Sequence, residues 1–113
     1  MDTIQLADCV LHVSKLLSDN RVSYTIIADF NGAYYDSNTR VIAIPVVVDL
    51  DTYLTCLHEI SHFMLKHCKP SSWDEEVLCE IEAWNKTYEM SKVEVSQNYK
   101  NYIDSIRIKA SWE

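Results

Sequence analysis

The feature that most constrains this sequence is the pentapeptide His58-Glu59-Ile60-Ser61-His62, in which two histidines stand four residues apart. On an α-helix, residues at this spacing lie one turn apart on the same face, so both imidazoles can bind one metal ion. Glu59 lies one step round the helix, where a carboxylate can take a proton from water and pass it to a leaving group. This is the H-E-x-x-H pattern of zinc sites, but it also occurs by chance, so its context has to support it.

The flanking residues predict that the pentapeptide lies on a helix. Asp49 or Asp51 can cap the start of this helix, and Pro70 would end it after about residue 69. Its lysines and His67 near the end suit the helix dipole. The predicted core stripe consists of Tyr53, Leu54, Leu57, Ile60, Met64 and Cys68.

Helical periodicity predicts three more helices. Residues 3–18 repeat apolar side chains at helical spacing, with Asp2 or Thr3 as the cap. A capping box at residues 72–75 opens the helix that follows Pro70. Residues 91–113 form the last helical pattern, with a locally basic face. On the helix that follows Pro70, the predicted core stripe consists of Trp73, Val77, Ile81, Trp84 and Tyr88.

Between residues 22 and 48 the apolar period becomes alternating, which indicates strands. Residues 22–28, 33–36 and 40–44 are the candidate strands, and Asn31-Gly32 between the first two is a strong hairpin signal. Pro45 places the end of the third strand near a sheet edge. The simplest assembly is a three-stranded antiparallel meander, which gives an α+β fold.

The 113 residues suffice for one small domain, spanning 1–113. A net charge of −7 argues against direct nucleic-acid binding and fits a basic protein partner weakly. We expect a cytoplasmic protein, because neither a signal peptide nor a membrane span is visible. We interpret the four scattered cysteines as reduced, buried thiols.

A catalytic zinc site needs a third protein ligand. The short link around Pro70 makes the two central helices antiparallel neighbours, in which residues equally far from the turn lie level. His62 precedes Pro70 by eight residues and Glu80 follows it by ten, so the two are nearly level. Glu80 also flanks the apolar stripe, which makes it the first candidate for the third ligand. Glu76, one turn nearer the link, is the second candidate.

The remaining polar residues of this region fit the site less well. Glu75 and Glu82 point away from the partner helix and are predicted to be solvated. His67 would need a different arrangement to reach the site. A third possibility is that the chain binds no metal at all.

Residues 52–62 (TYLTCLHEISH) and 80–84 (EIEAW) resemble the zinc metallopeptidase domain of the ImmA/IrrE family, which pairs an H-E-x-x-H helix with a second helix carrying E-x-x-A-N or a close variant. Residues 32–34 and 42–44 resemble its upstream strands, so the similarity covers roughly residues 22–90. Trp84 departs from the asparagine usual in the family, and residues 85–87 replace its small apolar residues. We expect a domain without an attached helix-turn-helix or sensor segment.

The resemblance implies a gluzincin-like α+β fold in which His58, His62 and Glu80 bind Zn²⁺ and Glu59 is the general base. It also implies limited proteolysis of a protein such as a transcriptional repressor, often in phage, mobile-element or stress control. A substrate peptide would align along an exposed strand edge, for which residues 40–44 are the candidate. Candidate oxyanion-stabilising residues are Tyr88, Tyr99 and Tyr102, each of which also fits ordinary core packing.

The alternative function is a zinc-containing binding protein on the same scaffold, which would sequester a repressor or host factor without cutting it. Neither function involves nucleic acid or a membrane directly.

Overall fold

A computed structural model describes residues 2–108 of the chain. Its helices are α1 (Thr3–Asp19), α2 (Leu50–Met64), α3 (Trp73–Met90) and α4 (Gln97–Ile103). Its strands are β1 (Ser23–Ile27), β2 (Tyr34–Asp36) and β3 (Val41–Pro45). A 3-10 turn at Phe30–Gly32 and a π-helical turn at Asp104–Ile108 complete the described elements. The predicted α+β class is confirmed.

The N-terminal helix α1 begins at Asp2, whose carboxylate accepts a hydrogen bond from the backbone N–H of Gln5 at 2.8 Å. It buries Cys9, Val13 and Leu17, which recur at helical spacing on one face. The prediction of a helix here is therefore confirmed, and Asp2 is the cap.

The three strands form a mixed sheet in the order β1-β3-β2, so the predicted antiparallel meander is wrong. β1 runs parallel to β3, and only β2 pairs antiparallel with β3. The hairpin expected at Asn31-Gly32 would need positive φ angles at both residues, and neither residue has one. Instead, Asp29 caps the 3-10 turn by accepting from the N–H of Asn31 at 2.9 Å. This turn leads β1 into β2 without pairing the two strands.

The strand β3 lies in the middle of the sheet and is buried along most of its length. Residues 40–44 therefore do not form the exposed strand edge that the sequence predicted. The actual edges are β1 and β2, which pair with β3 on its two sides. The helix α2 packs against this sheet and is the most buried helix in the described chain, with an unbroken buried run over residues 52–62.

The helix α2 begins at Asp49, which forms a capping box with Thr52. It ends at Met64, five residues before the predicted end. The chain leaves the helix through Lys66, whose φ of 56° is left-handed. The N–H of Lys66 donates to the carbonyl of Phe63, and the N–H of His67 donates to the carbonyl of His62. These two hydrogen bonds form a Schellman motif, which ends the helix without Pro70.

The helix α3 runs antiparallel to α2, since His58 contacts Trp84 whereas His62 contacts Glu80. Ser72 is its cap, as predicted, and accepts from the N–H of Glu75 at 3.2 Å. The buried face comprises Ala83, Trp84 and Thr87. Trp73, predicted to be core, is 56 % exposed.

The predicted C-terminal helix is shorter than the pattern suggested. Ser96 caps α4 by accepting from the N–H of Tyr99, so the helix begins at Gln97 rather than near residue 91. Ile103 anchors it in the core. The part of the prediction that covers residues 109–113 lies outside the described residues.

All four thiols are free, as predicted. Cys9 and Cys56 are buried, but Cys68 is exposed and Cys79 is only half-buried, so the expected burial holds for two of them. Within residues 2–108, none of the helices has the length and apolar character needed to cross a membrane.

Candidate metal centre

The helix α2 places the two histidines of the H-E-x-x-H sequence side by side. His58 and His62 are each 8 % exposed, and their Nε2 atoms lie 3.2 Å apart. Ligand atoms of His58, Glu59 and His62 all lie within 4.8 Å of one another. This buried cluster could hold a metal ion.

The carboxylate of Glu80 reaches the same point from α3. Its Oε2 atom lies 3.1 Å from Nε2 of His58, and its Oε1 atom lies 3.0 Å from Nε2 of His62. Zinc–ligand distances of about 2.0–2.1 Å in a tetrahedral site correspond to ligand–ligand separations of about 3.3 Å. The observed separations are close to that value, and two imidazoles with one carboxylate are a donor set that zinc accepts.

The electrostatics of the cluster favour a bound cation. Burial alone would raise the pKa of Glu80, but its hydrogen bonds with His58 and His62 outweigh burial and hold that pKa well below its usual range. Burial alone would lower the pKa of His62, but the carboxylates of Glu80 and Glu59 outweigh burial and raise that pKa. Glu80 is thus an ionised carboxylate in a largely buried site. A positive charge on its partners compensates its negative charge.

Two small buried residues set the spacing between the helices that carry the ligands. The Oγ atom of Ser61 donates to the carbonyl of Leu57 at 2.7 Å, and Oγ1 of Thr87 donates to the carbonyl of Ala83 at 2.7 Å. The two hydroxyl oxygens lie 3.3 Å apart across the interface between α2 and α3. Because both side chains are small, the helices come close enough for Glu80 to reach both histidines.

A cleft of about 540 Å³ opens beside the cluster. Its walls come from β2 and the following turn, from Glu59 and His62 of α2, from the segment 67–70, and from Glu76, Cys79 and Glu80 of α3. The candidate base and two of the candidate ligands therefore face a space large enough for several side chains of a peptide.

No protein-family model, curated protein or solved structure matches this chain. Membership of the ImmA/IrrE family therefore stays a prediction from motifs.

The structure brings together all four residues to which the sequence assigned chemistry, namely His58, Glu59, His62 and Glu80. Glu76, the second candidate for the third ligand, is exposed and lines the cleft outside the cluster. Glu75 is also outside the cluster, because its carboxylate accepts from the backbone and hydroxyl of Ser71.

The tyrosines proposed for oxyanion stabilisation do not line the cleft, as far as the structure describes it. The hydroxyl of Tyr88 is buried, that of Tyr99 donates to Asp51 at 2.8 Å, and Tyr102 is half exposed on α4. The tyrosines that do line the cleft are Tyr34 and Tyr35 of β2. No pattern in the sequence pointed to these two tyrosines, because their place depends on the order of the strands.

His67 lies beside the cluster, in an arrangement that the sequence did not predict. Its Nδ1 atom lies 2.8 Å from Nδ1 of His62, and its Nε2 atom lies 3.8 Å from Oε2 of Glu82. Burial and the neighbouring charge of His62 lower the pKa of His67, although Glu82 opposes this shift. On a helix that continued to residue 69, His67 would lie on a different face from His62. The sequence did not predict that the helix ends earlier, because position 66 is a lysine and not the glycine that is usual at such an end.

Proposed function

We propose that this protein is a zinc-dependent endopeptidase of the ImmA/IrrE type that cuts a protein substrate at a limited number of sites. The observation that carries the proposal is the convergence of His58, His62 and Glu80 on one point, with Glu59 beside them at the wall of a cleft. A cluster that only stabilised the fold would need neither the cleft nor a second carboxylate.

His58, His62 and Glu80 are the residues that would hold the zinc ion. A zinc ion bound there would supply Lewis acidity, which polarises a peptide carbonyl and lowers the pKa of a water molecule. The three residues reach it from two helices whose spacing is fixed by buried side chains, so their arrangement is preorganised.

Glu59 is the proposed general base. It is 5 % exposed and borders the cleft, so it lies beside the substrate space in a largely dry position. It would accept a proton from the attacking water and then donate that proton to the amine that leaves. General acid–base catalysis of this kind contributes about 10²- to 10⁴-fold to a rate.

The outer edge of β2 is the proposed guide for the substrate. β2 borders the cleft and pairs with β3 on one side only, within the part of the chain that the structure describes. An extended peptide could add to that edge as another strand, with its side chains alternating between cleft and solvent. Half of Tyr34 is exposed there, and its ring offers an apolar contact for the peptide.

The proposed substrate is a protein such as a transcriptional repressor, in the cytoplasm of a cell that carries a phage or another mobile element. The net charge of −7 supports a basic partner, since opposite fields speed encounter. A DNA-binding protein commonly has a basic face, whereas DNA itself would be repelled by this charge.

The first test is the zinc content of protein purified without added zinc, measured by mass spectrometry. We expect about one zinc per chain in the wild type and in Glu76→Gln, and loss of zinc in Glu80→Ala. Glu76 is the matched control, because it lines the same cleft but lies outside the cluster. A wild type that takes up no zinc, even when zinc is supplied, would refute the proposal.

The second test is cleavage of a peptide library prepared from a bacterial cytosolic proteome. Glu59→Gln should keep zinc and lose cleavage by about 10²-fold or more, since it removes the proton acceptor. Unchanged cleavage would disprove the role of Glu59. Zinc binding without any cleavage, together with a partner protein recovered intact by both forms, would favour the sequestering function instead.

A further inference from the structure

The ring of His62 has a nitrogen contact on each side. Its Nε2 atom faces Oε1 of Glu80 at 3.0 Å, and its Nδ1 atom faces Nδ1 of His67 at 2.8 Å. Two ring nitrogens at this distance share one proton, so one ring donates and the other accepts. The protonation of the outer nitrogen of His62 is therefore tied to His67.

The backbone holds His67 in this place. The N–H of His67 donates to the carbonyl of His62 at 3.2 Å, after the left-handed residue Lys66 has turned the chain back over the last turn of α2. His67 thus contacts His62 twice, through the backbone and through the ring. The position of its imidazole follows from the end of the helix rather than from a flexible loop.

We propose that His67 is a positioning residue that accepts a hydrogen bond from Nδ1–H of His62 and so reserves Nε2 of His62 for the metal. This assignment rests on the proposed zinc site. Histidines that bind a metal generally donate their other ring N–H to an acceptor, which fixes their tautomer and orientation. His67 then carries its own proton on Nε2, which faces Oε2 of Glu82 at 3.8 Å.

The geometry assigns His67 to the outer side of the site rather than to the metal. It contacts the nitrogen of His62 opposite to the one that faces Glu80, and it is not a member of the cluster formed by His58, Glu59 and His62. Glu82 lies further out, and its carboxylate is beyond hydrogen-bonding distance of Nε2 of His67. Its side chain is 47 % exposed, so it contributes less than His67.

The test compares two substitutions that differ in one respect. His67→Phe keeps an aromatic ring but has no acceptor, whereas His67→Asn places an amide oxygen near the position of Nδ1. We expect the dissociation constant for zinc, measured by chelator competition, to rise about 10- to 100-fold in His67→Phe and to stay within about threefold of the wild type in His67→Asn. His12→Phe is the control, since His12 bonds Tyr53 outside the cluster and should leave zinc affinity unchanged.

The spectroscopic part uses ¹⁵N-labelled histidine in the zinc-loaded protein. In the wild type and in His67→Asn, we expect a protonated Nδ1 and an unprotonated Nε2 on His62, with the Nδ1 proton protected from exchange. That protection should be lost in His67→Phe. The wild-type spectrum alone suffices to overturn the assignment if the proton is on Nε2, even if His67→Phe does not fold.

Two negative outcomes separate this inference from the proposed function. A wild type that binds zinc, together with a His67→Phe variant that binds it equally well with the Nδ1 proton still protected, overturns only the role of His67. A wild type that binds no zinc overturns the zinc site and, with it, the role of His67.

Discussion

The indole of Trp84 lies against the imidazole of His58, with ring centroids 4.2 Å apart and an angle of 21° between the ring planes. Trp84 is 3 % exposed and its ring also lies near the ring of Tyr88, so the indole is held in the buried face of α3. A fixed aromatic face limits the rotation of the histidine ring. At the position where the ImmA/IrrE pattern has asparagine, this chain thus supports a candidate ligand by stacking.

Replacing Trp84 should weaken the metal site in proportion to the stacking that is lost. Stacking of this kind contributes about 0.5–1.5 kcal/mol beyond burial, so Trp84→Leu should raise the dissociation constant for zinc by about two- to twelvefold. Trp84→Phe keeps an aromatic face and should stay closer to the wild type. Chelator competition on both folded variants measures the difference. Equal affinities in Trp84→Leu and Trp84→Phe would show that the stack does not support His58.

Enlarging Ser61 should affect stability and metal binding together. Ser61 is fully buried between α2 and α3, next to Thr87, and adding side-chain volume there costs about 1–3 kcal/mol. Ser61→Leu would also push Glu80 away from the histidines, because the ligands come from both helices. Ser61→Ala keeps the spacing and should retain zinc affinity. Urea denaturation and zinc competition on both variants test this coupling, which a Ser61→Leu variant of normal affinity would contradict.

The candidate site was largely predictable because its signals are local. The spacing of His58 and His62 requires only one helix, and the short link around Pro70 places Glu80 level with His62. Both signals lie in residues that are close in the chain. The helix α2 confirms the first of them, although it ends earlier than the sequence suggested.

The features that the sequence did not predict depend on backbone conformations that the residue types do not indicate. Asn31-Gly32 is a strong hairpin signal, yet both residues lie in a 3-10 turn that Asp29 caps. The strand β1 pairs in parallel with β3 instead of forming a hairpin with β2. Lys66 adopts a left-handed conformation that normally favours glycine, and this places His67 against His62. In the first case the pairing of β1 with β3 outweighs the local preference, and in the second the hydrogen bonds of the Schellman motif hold Lys66 in its conformation.

Replacing Lys66 with glycine should stabilise the protein. A left-handed φ of 56° costs a residue with a side chain about 1–2 kcal/mol, and glycine avoids this cost but loses more backbone entropy on folding. We expect a net gain of up to about 1 kcal/mol in the free energy of unfolding, measured by urea denaturation. Zinc affinity should not change, because the Schellman motif keeps His67 in place. Arg21, with a φ of 52° after α1, is the matched control, and Arg21→Gly should behave similarly. A destabilised Lys66→Gly variant would mean that the lysine side chain itself contributes to the fold.

His12 should make the protein less stable as the pH falls. Its Nδ1 atom lies 2.6 Å from the hydroxyl of Tyr53, and burial together with the charge of Lys92 lowers the pKa of His12. Because the folded state then binds protons less readily than the unfolded state, the contribution of His12 is fully present above the unfolded pKa of about 6.5 and is lost as the pH falls towards the folded pKa. His62 shifts in the opposite direction, so the measurement has to isolate His12. The free energy of unfolding of the wild type minus that of His12→Gln cancels the other groups, and we expect this difference to decrease from neutral pH to about pH 5. A difference that stays constant or grows over that range would show that the folded state does not disfavour protonated His12.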